Sequence, residues 1–399
     1  MTRYHRACDS SIELNVATVW DEEQIARWAA WSHPTCAVRS VFGSMQQQLS
    51  GHGRSPGDVP FVEPSKVVEH ARSAQALGLE FLYLLNGRCE HLDLAVPAVR
   101  QALREQIRWV AAEVQADVVV VADLRVARLV RAEYPADRLR LRVSTVAGVK
   151  TLHDLKPWLP LGIEGVVLHH DVGRDLDHLE AFASYLRRHH PGVEIELLLN
   201  ESCIPACSTR DAHYARLARE TTTYIEGFQQ SCNIPRFRDP SLLLAARWIR
   251  PEDMQRYRQI GVRRFKIAGR EMSGAWLDRT VTAYLQQRHQ GNLIELFTMT
   301  PPGLNAAASD IVSVDNQALD GFLDQLTAWE GSRGDFYRRL TRSLWENGTL
   351  RLDDPGAEYS VRGNALHCVT PGHHFRTLAG LQVFSDPAFH GRLVQIGRQ

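Results

Sequence analysis

The sequence is poor in lysine, carries no net charge and has no long apolar run. Only Lys66, Lys150, Lys156 and Lys266 supply lysine among 46 basic residues, and 46 acidic residues balance them. A balanced chain has no global field to draw it onto nucleic acid or anionic membrane. The arginine bias fits a GC-rich genome better than phosphate recognition. No window reaches the roughly 18 uninterrupted apolar residues of a membrane span. Residues 1–14 lack the apolar core of a secretion signal, so a cytoplasmic protein with no membrane partner is expected. Seven cysteines, an odd number, argue against a disulfide framework and for metal or redox use in an intracellular chain.

Several motifs are also missing. There is no His-Glu-x-x-His pair, no P-loop and no dinucleotide glycine fingerprint, and no third thiol follows Cys207 at radical-enzyme spacing. Gly53-Arg54-Ser55-Pro56-Gly57 has the outline of a serine-hydrolase elbow. The residue after that serine must lend its N–H to an oxyanion, and Pro56 has none.

What is present is a globular composition, 44% apolar and 23% charged over 399 residues, enough for two or three domains or one large barrel with an appendage. Short β-branched runs alternate with amphipathic stretches: Ile12–Val19, Val38–Gly43, Leu79–Asn86, Asp117–Asp123, Leu139–Thr145, Gly165–His170, Glu194–Asn200 and Arg263–Ile267. Between them lie helical stripes such as Val99, Leu103, Ile107, Val110 and Val114. This rhythm predicts an α/β chain with a (β/α)8 TIM-type barrel over residues 1–290, a doubly wound open sheet being the alternative. The crossover from Asn200 to Arg263 is long enough for a lid or site loop. Beyond Gly291 the rhythm stops. A helix near Ala318–Trp329 and hairpin turns at Asn347-Gly348 and Asp354-Pro355-Gly356 predict a small α+β appendage over 291–399.

Functional groups of such a barrel sit where strands end. Cys89 follows the third strand, Cys203 and Cys207 the seventh, and Cys232 lies in the long crossover. Cys36 precedes the second strand and belongs at the opposite end, while Cys8 and Cys368 fall outside the pattern. Four converging thiolates suit tetrahedral zinc or an iron–sulfur cluster. A zinc module built on two Cys-x-x-Cys knuckles is not what this spacing offers, which favours iron–sulfur. The bland alternative is that these thiols are small buried hydrophobes.

The run Asn200-Glu201-Ser202-Cys203 to Cys207, then Arg210, His213, Cys232, Asp239-Pro240, Ile249-Arg250-Pro251-Glu252-Asp253, Tyr257, Gly261 and Phe265-Lys266-Ile267-Ala268-Gly269-Arg270, resembles the collagenase-like peptidase family, number thirty-two of those with unassigned mechanism. The resemblance extends over residues 12–285. That family includes a ubiquinone-biosynthesis pair that hydroxylates without oxygen and enzymes that hydroxylate transfer or ribosomal RNA. Its hydroxylating members hold a four-iron four-sulfur cluster on four cysteines. The resemblance therefore implies a 4Fe-4S cluster on Cys89, Cys203, Cys207 and Cys232, or on three of them with one iron open if Cys89 is not a ligand. It implies either an oxygen-independent hydroxylase-like oxidoreductase of a biosynthetic pathway, a peptidase as the family name says, or a non-catalytic iron–sulfur subunit beside a paralogous partner. A small-molecule substrate is favoured over RNA, because no cationic cluster stands out.

Other polar groups collect at strand ends. Lys266 alternates with Phe265 and Ile267, so it points into the barrel, toward an anion or toward a carboxylate such as Asp123. Arg270 stands before a helix starting near Ser273 and is a candidate anion contact. His169 and His170, with Asp171 and Arg174, end the sixth strand and are candidate proton carriers. Ser144 ends the fifth strand, and Arg54 lies in a loop near the mouth. His213 and Glu201 line the site or brace the cysteine loop.

Overall fold

The computed structural model describes residues 11–31, 35–54, 56–219, 232–233, 236–237, 241–299, 307–323, 349–351, 358–362, 365–368 and 383–385. Eight parallel strands close into a barrel in sequence order: β1 (Ile12–Ala17), β2 (Cys36–Gly43), β3 (Glu80–Leu85), β4 (Val118–Val121), β5 (Arg140–Val143), β6 (Gly165–Val167), β7 (Glu194–Leu198) and β8 (Arg264–Ile267). β8 pairs with β1 from Glu13↔Arg264 to Val16↔Ile267, and that closure excludes the open sheet. The helices follow the predicted stripes: Leu103, Ile107, Val110 and Val114 are all buried.

The strand alternation is inverted relative to a half-exposed sheet. In Arg140-Leu-Arg142-Val143, Glu194-Ile-Glu196-Leu and Arg264-Phe-Lys266-Ile267 the apolar residues face the surrounding helices and the charged ones face inward. Two hydrogen bonds prove the direction, because each passes over an intervening strand through the interior. Asn15 Nδ2 of β1 donates to Glu196 Oε1 of β7 at 2.8 Å, and Arg142 Nη1 of β5 donates to Glu196 Oε2 at 2.5 Å. Arg142 also donates to Glu164 at 2.6 Å. Lower in the barrel Glu80 meets Arg39 (2.9 Å) and Arg140 (3.1 Å), while Arg264 meets Glu13 (2.9 Å), Glu164 (3.2 Å) and Glu194. The core of the barrel is thus an ion-pair lattice enclosed by an apolar shell.

The chain divides into two compact units. The barrel unit comprises Met1–Asn200, Thr209–Tyr224 and Trp248–Arg288; the second comprises Glu201–Ser208, Ile225–Arg247 and His289–Gln399. Within the second unit Val312–Val314 pairs antiparallel with Val383–Ser385, and Thr349–Arg351, Glu358–Arg362 and Ala365–Cys368 form a three-stranded antiparallel sheet. Residues 317–319 form a 3-10 turn and 322–323 are helical, while 324–329 of the helix expected to Trp329 lie outside the described residues. So do Ser55, Cys8, Asp239-Pro240 and the two expected hairpin turns. Among the described residues no helix is long and apolar enough to cross a membrane.

Candidate functional site

At the C-terminal mouth of the barrel several strands deliver polar residues. Asn200, just past β7, accepts the Ala268 N–H (3.0 Å) and donates to the Ala268 carbonyl (2.7 Å), which locks the ends of β7 and β8 together. Lys266 points inward, as its alternation predicts, and its Nζ stands 3.9 Å from the centre of the Phe42 ring. Asp123 does not meet it. That carboxylate caps the helix Leu124–Glu133 through Arg125 N (2.8 Å) and pairs with the Arg125 guanidinium at 2.7 Å. Arg270 is buried and donates Nη1 to Ser44 Oγ at 2.7 Å. Glu271 pairs with Arg54 at 2.7 Å. The helix beyond runs Gly274–Leu285, capped by Ser273.

The loop after β2 lies close over the mouth, and glycine allows it. A Cβ at Gly87 would come within 2.2 Å of the Ser50 carbonyl oxygen and 2.9 Å of the His52 nitrogen, while Gly51 holds φ +64° against the backbone of Ala218. Gly87→Ala must therefore displace backbone, and a loss of about 1–3 kcal/mol is expected in denaturant unfolding. An unchanged midpoint would show that the loop is not seated as described. His52 and Tyr83 gave no signal in the sequence. Burial and then the Arg270 charge push His52 down to about 4, and the Tyr83 hydroxyl donates to Gln48 at 3.2 Å.

At the end of β6, His169, His170 and Asp171 offer ligand atoms that all lie within 4.8 Å of one another. Asp171 takes Lys150 at 2.7 Å. Burial, with the adjacent His170, pushes His169 down to about 3, which favours its neutral form. Ser144 Oγ accepts the Val146 N–H at 3.2 Å and caps a turn. The Arg174 guanidinium lies 3.9 Å over the Trp248 ring and donates to its carbonyl at 3.1 Å. His213 stacks on Tyr214.

The thiols separate by unit. Cys89 is fully buried in the barrel unit, where its Sγ donates to the Ser50 carbonyl at 3.1 Å. Burial pushes it up to about 12. Cys36 opens β2 and is likewise buried and pushed up to about 12. Cys203, Cys207 and Cys232 belong to the second unit and are half-buried. The Cys203 N–H bonds Glu201 Oε1 at 2.8 Å, and Ala206 holds φ +52°, turning the chain between the two thiols. Buried Arg236, one helical turn after Cys232, ties the two segments together. It donates to the Ser202 carbonyl (2.6 Å), to Ser202 Oγ (3.0 Å), to the Cys232 carbonyl (3.3 Å) and to Asn233 Oδ1.

No protein-family profile matches the chain. Over 190 residues, 47% of this chain, it is 28% identical to an uncharacterized protease of Methanocaldococcus jannaschii, and the match spans 54% of that protein. The chain thus spans about half the length of this curated relative. Among solved structures, a U32 peptidase has a TM-score of 0.47 at 15% identity, covering 67% of this chain and 96% of that one. A citrate synthase has a TM-score of 0.35 at 10% identity, covering 70% and 93%. The name of the sequence relative, a protease, agrees with the peptidase family that this sequence resembles.

Proposed function

We propose that the chain is an iron–sulfur enzyme of the oxygen-independent hydroxylase type acting on a small molecule, with Cys203, Cys207 and Cys232 as the cluster's protein ligands. One observation carries this reading: a single buried guanidinium binds Ser202, beside Cys203, to the carbonyl of Cys232. A fork of that kind fixes two remote segments in one geometry, and thiols are what the two segments share. Three half-buried thiols are a soft donor set that suits iron–sulfur chemistry. Cys89 fits less well, because a ligand must be a thiolate and this thiol is buried as a hydrogen-bond donor. Cys203, Cys207 and Cys232 would hold the cluster, which when bound would supply electron transfer or polarisation of an oxygen-bearing ligand. Lys266, brought to about 8 chiefly by burial, gives or takes a proton near neutral pH.

Alanine substitutions in anaerobically purified protein test the ligand set. Cys203→Ala, Cys207→Ala and Cys232→Ala are each expected to lose the brown colour and most of the iron, and Cys89→Ala to keep both. Colour retained in the first three contradicts the reading. The second reading is a peptidase, favoured by the name of the M. jannaschii relative and by the His169, His170 and Asp171 group as a seat for a metal-bound water. Cleavage of peptides that needs added zinc and survives loss of the three thiols would establish it. Turnover only in the presence of a co-purifying paralogue would instead mark the chain as a partner subunit.

A further inference from the structure

Lys266 and Arg270 bring two positive charges into the barrel mouth. Lys266 is 7% exposed and Arg270 5%. Among the described residues, the ammonium contacts the face of Phe42 and the guanidinium a serine hydroxyl, and neither has an ion-pair partner. The nearby carboxylates are committed elsewhere. Glu196 gives its two oxygens to Asn15 and Arg142, and Glu271 pairs with Arg54. Burial brings Lys266 to about 8 against the pull of Glu196, and brings Arg270 to about 10 with Arg54 adding repulsion. In each case the loss of water outweighs the pull of the nearby carboxylate, Glu196 on Lys266 and Glu271 on Arg270.

An unpaired buried cation is costly, and two at the end of one strand are more so. A ligand that brings the missing charge removes that cost. We infer that the mouth beside β8 and the end of β2 seats an oxyanion group, carboxylate or phosphate, of a small-molecule substrate, with Lys266 as point charge and Arg270 as fork. The inference deepens the proposed function by naming a substrate class, and it rests on that reading only for the anion's role as substrate. The site itself lies wholly in the barrel unit and needs no cluster.

The experiment is titration calorimetry on the full chain, cluster-loaded and iron-free, at constant ionic strength. The probes are inorganic phosphate, succinate and the neutral control succinamide. One anion is expected to bind saturably to both forms while succinamide stays silent, and the preferred anion identifies the group as phosphate or carboxylate. Binding by the iron-free chain holds whether or not iron is ever incorporated, so failure of the cluster reading is told apart from failure of this one. Lys266→Met and Arg270→Gln are each expected to weaken binding about tenfold or more. In thermal unfolding without anion, Lys266→Met is expected to melt about 2–4 °C or more above wild type, because it removes an uncompensated buried charge. The anion should then raise the melting temperature of wild type and not of the variant. No saturable binding of either anion up to about 10 mM, or unchanged affinity in both variants, would overturn the inference.

Discussion

Arg142→Met is expected to lower the stability of the chain by about 3–5 kcal/mol, the usual cost of removing one partner from a buried ion pair. Arg142 is 2% exposed and lies between Glu164 at 2.6 Å and Glu196 at 2.5 Å. Without it both carboxylates face a low-dielectric interior with one cation fewer. A second route gives a similar size. Burial alone would raise Glu164, yet Arg142 and then Arg264 pull it from 4.5 to about 2, a shift equivalent to about 3 kcal/mol. A depressed carboxylate contributes stability that is present at neutral pH and lost as pH falls below the unfolded value toward 2. Wild type should therefore weaken steeply between about pH 4.5 and 2, and the variant should show a shallower acid limb from a lower plateau. Urea midpoints across that range measure both. Equal stability at pH 7 would show that the interior lattice is not held as described.

Arg236→Lys is the second substitution with a large expected effect. Lysine keeps the charge but cannot fork. The four hydrogen bonds from Arg236 to Ser202, Cys232 and Asn233 contribute about 2–4 kcal/mol together at ordinary net values, and leaving their acceptors buried adds to the loss. The two cysteine-bearing segments would no longer be tied to each other by this side chain. Bound iron per chain after anaerobic purification should fall several-fold although every cysteine remains. A variant with undiminished iron would separate the arginine fork from cluster binding and remove the main support for the ligand set.

The barrel was legible because its strands are short β-branched runs, Val118–Val121 the plainest, separated by stripes of helical period. The charged interior was only half legible. The alternation in Arg264-Phe-Lys266-Ile267 gave the inward direction of Lys266, but not its neighbours, since a strand's period says which face a residue takes and nothing of which strand lies across. Asp123, expected across the barrel, instead caps its own helix, the nearer demand on an aspartate at a strand-to-helix turn. The cysteine spacing placed Cys203, Cys207 and Cys232 near strand ends, but chain position does not say with which unit a loop packs. Arg236 left one trace, its spacing of one helical turn from Cys232. His52 and Tyr83 left none, because a loop's path over a barrel depends on close approaches such as that at Gly87.

The proposed function stands on an iron–sulfur cluster held by thiols of the long crossover. Iron and acid-labile sulfide, measured on anaerobically purified and reconstituted protein, test it most directly. About four of each per chain are expected, dropping toward zero in Cys203→Ala. A colourless wild-type protein that holds neither iron nor sulfide after reconstitution would contradict it.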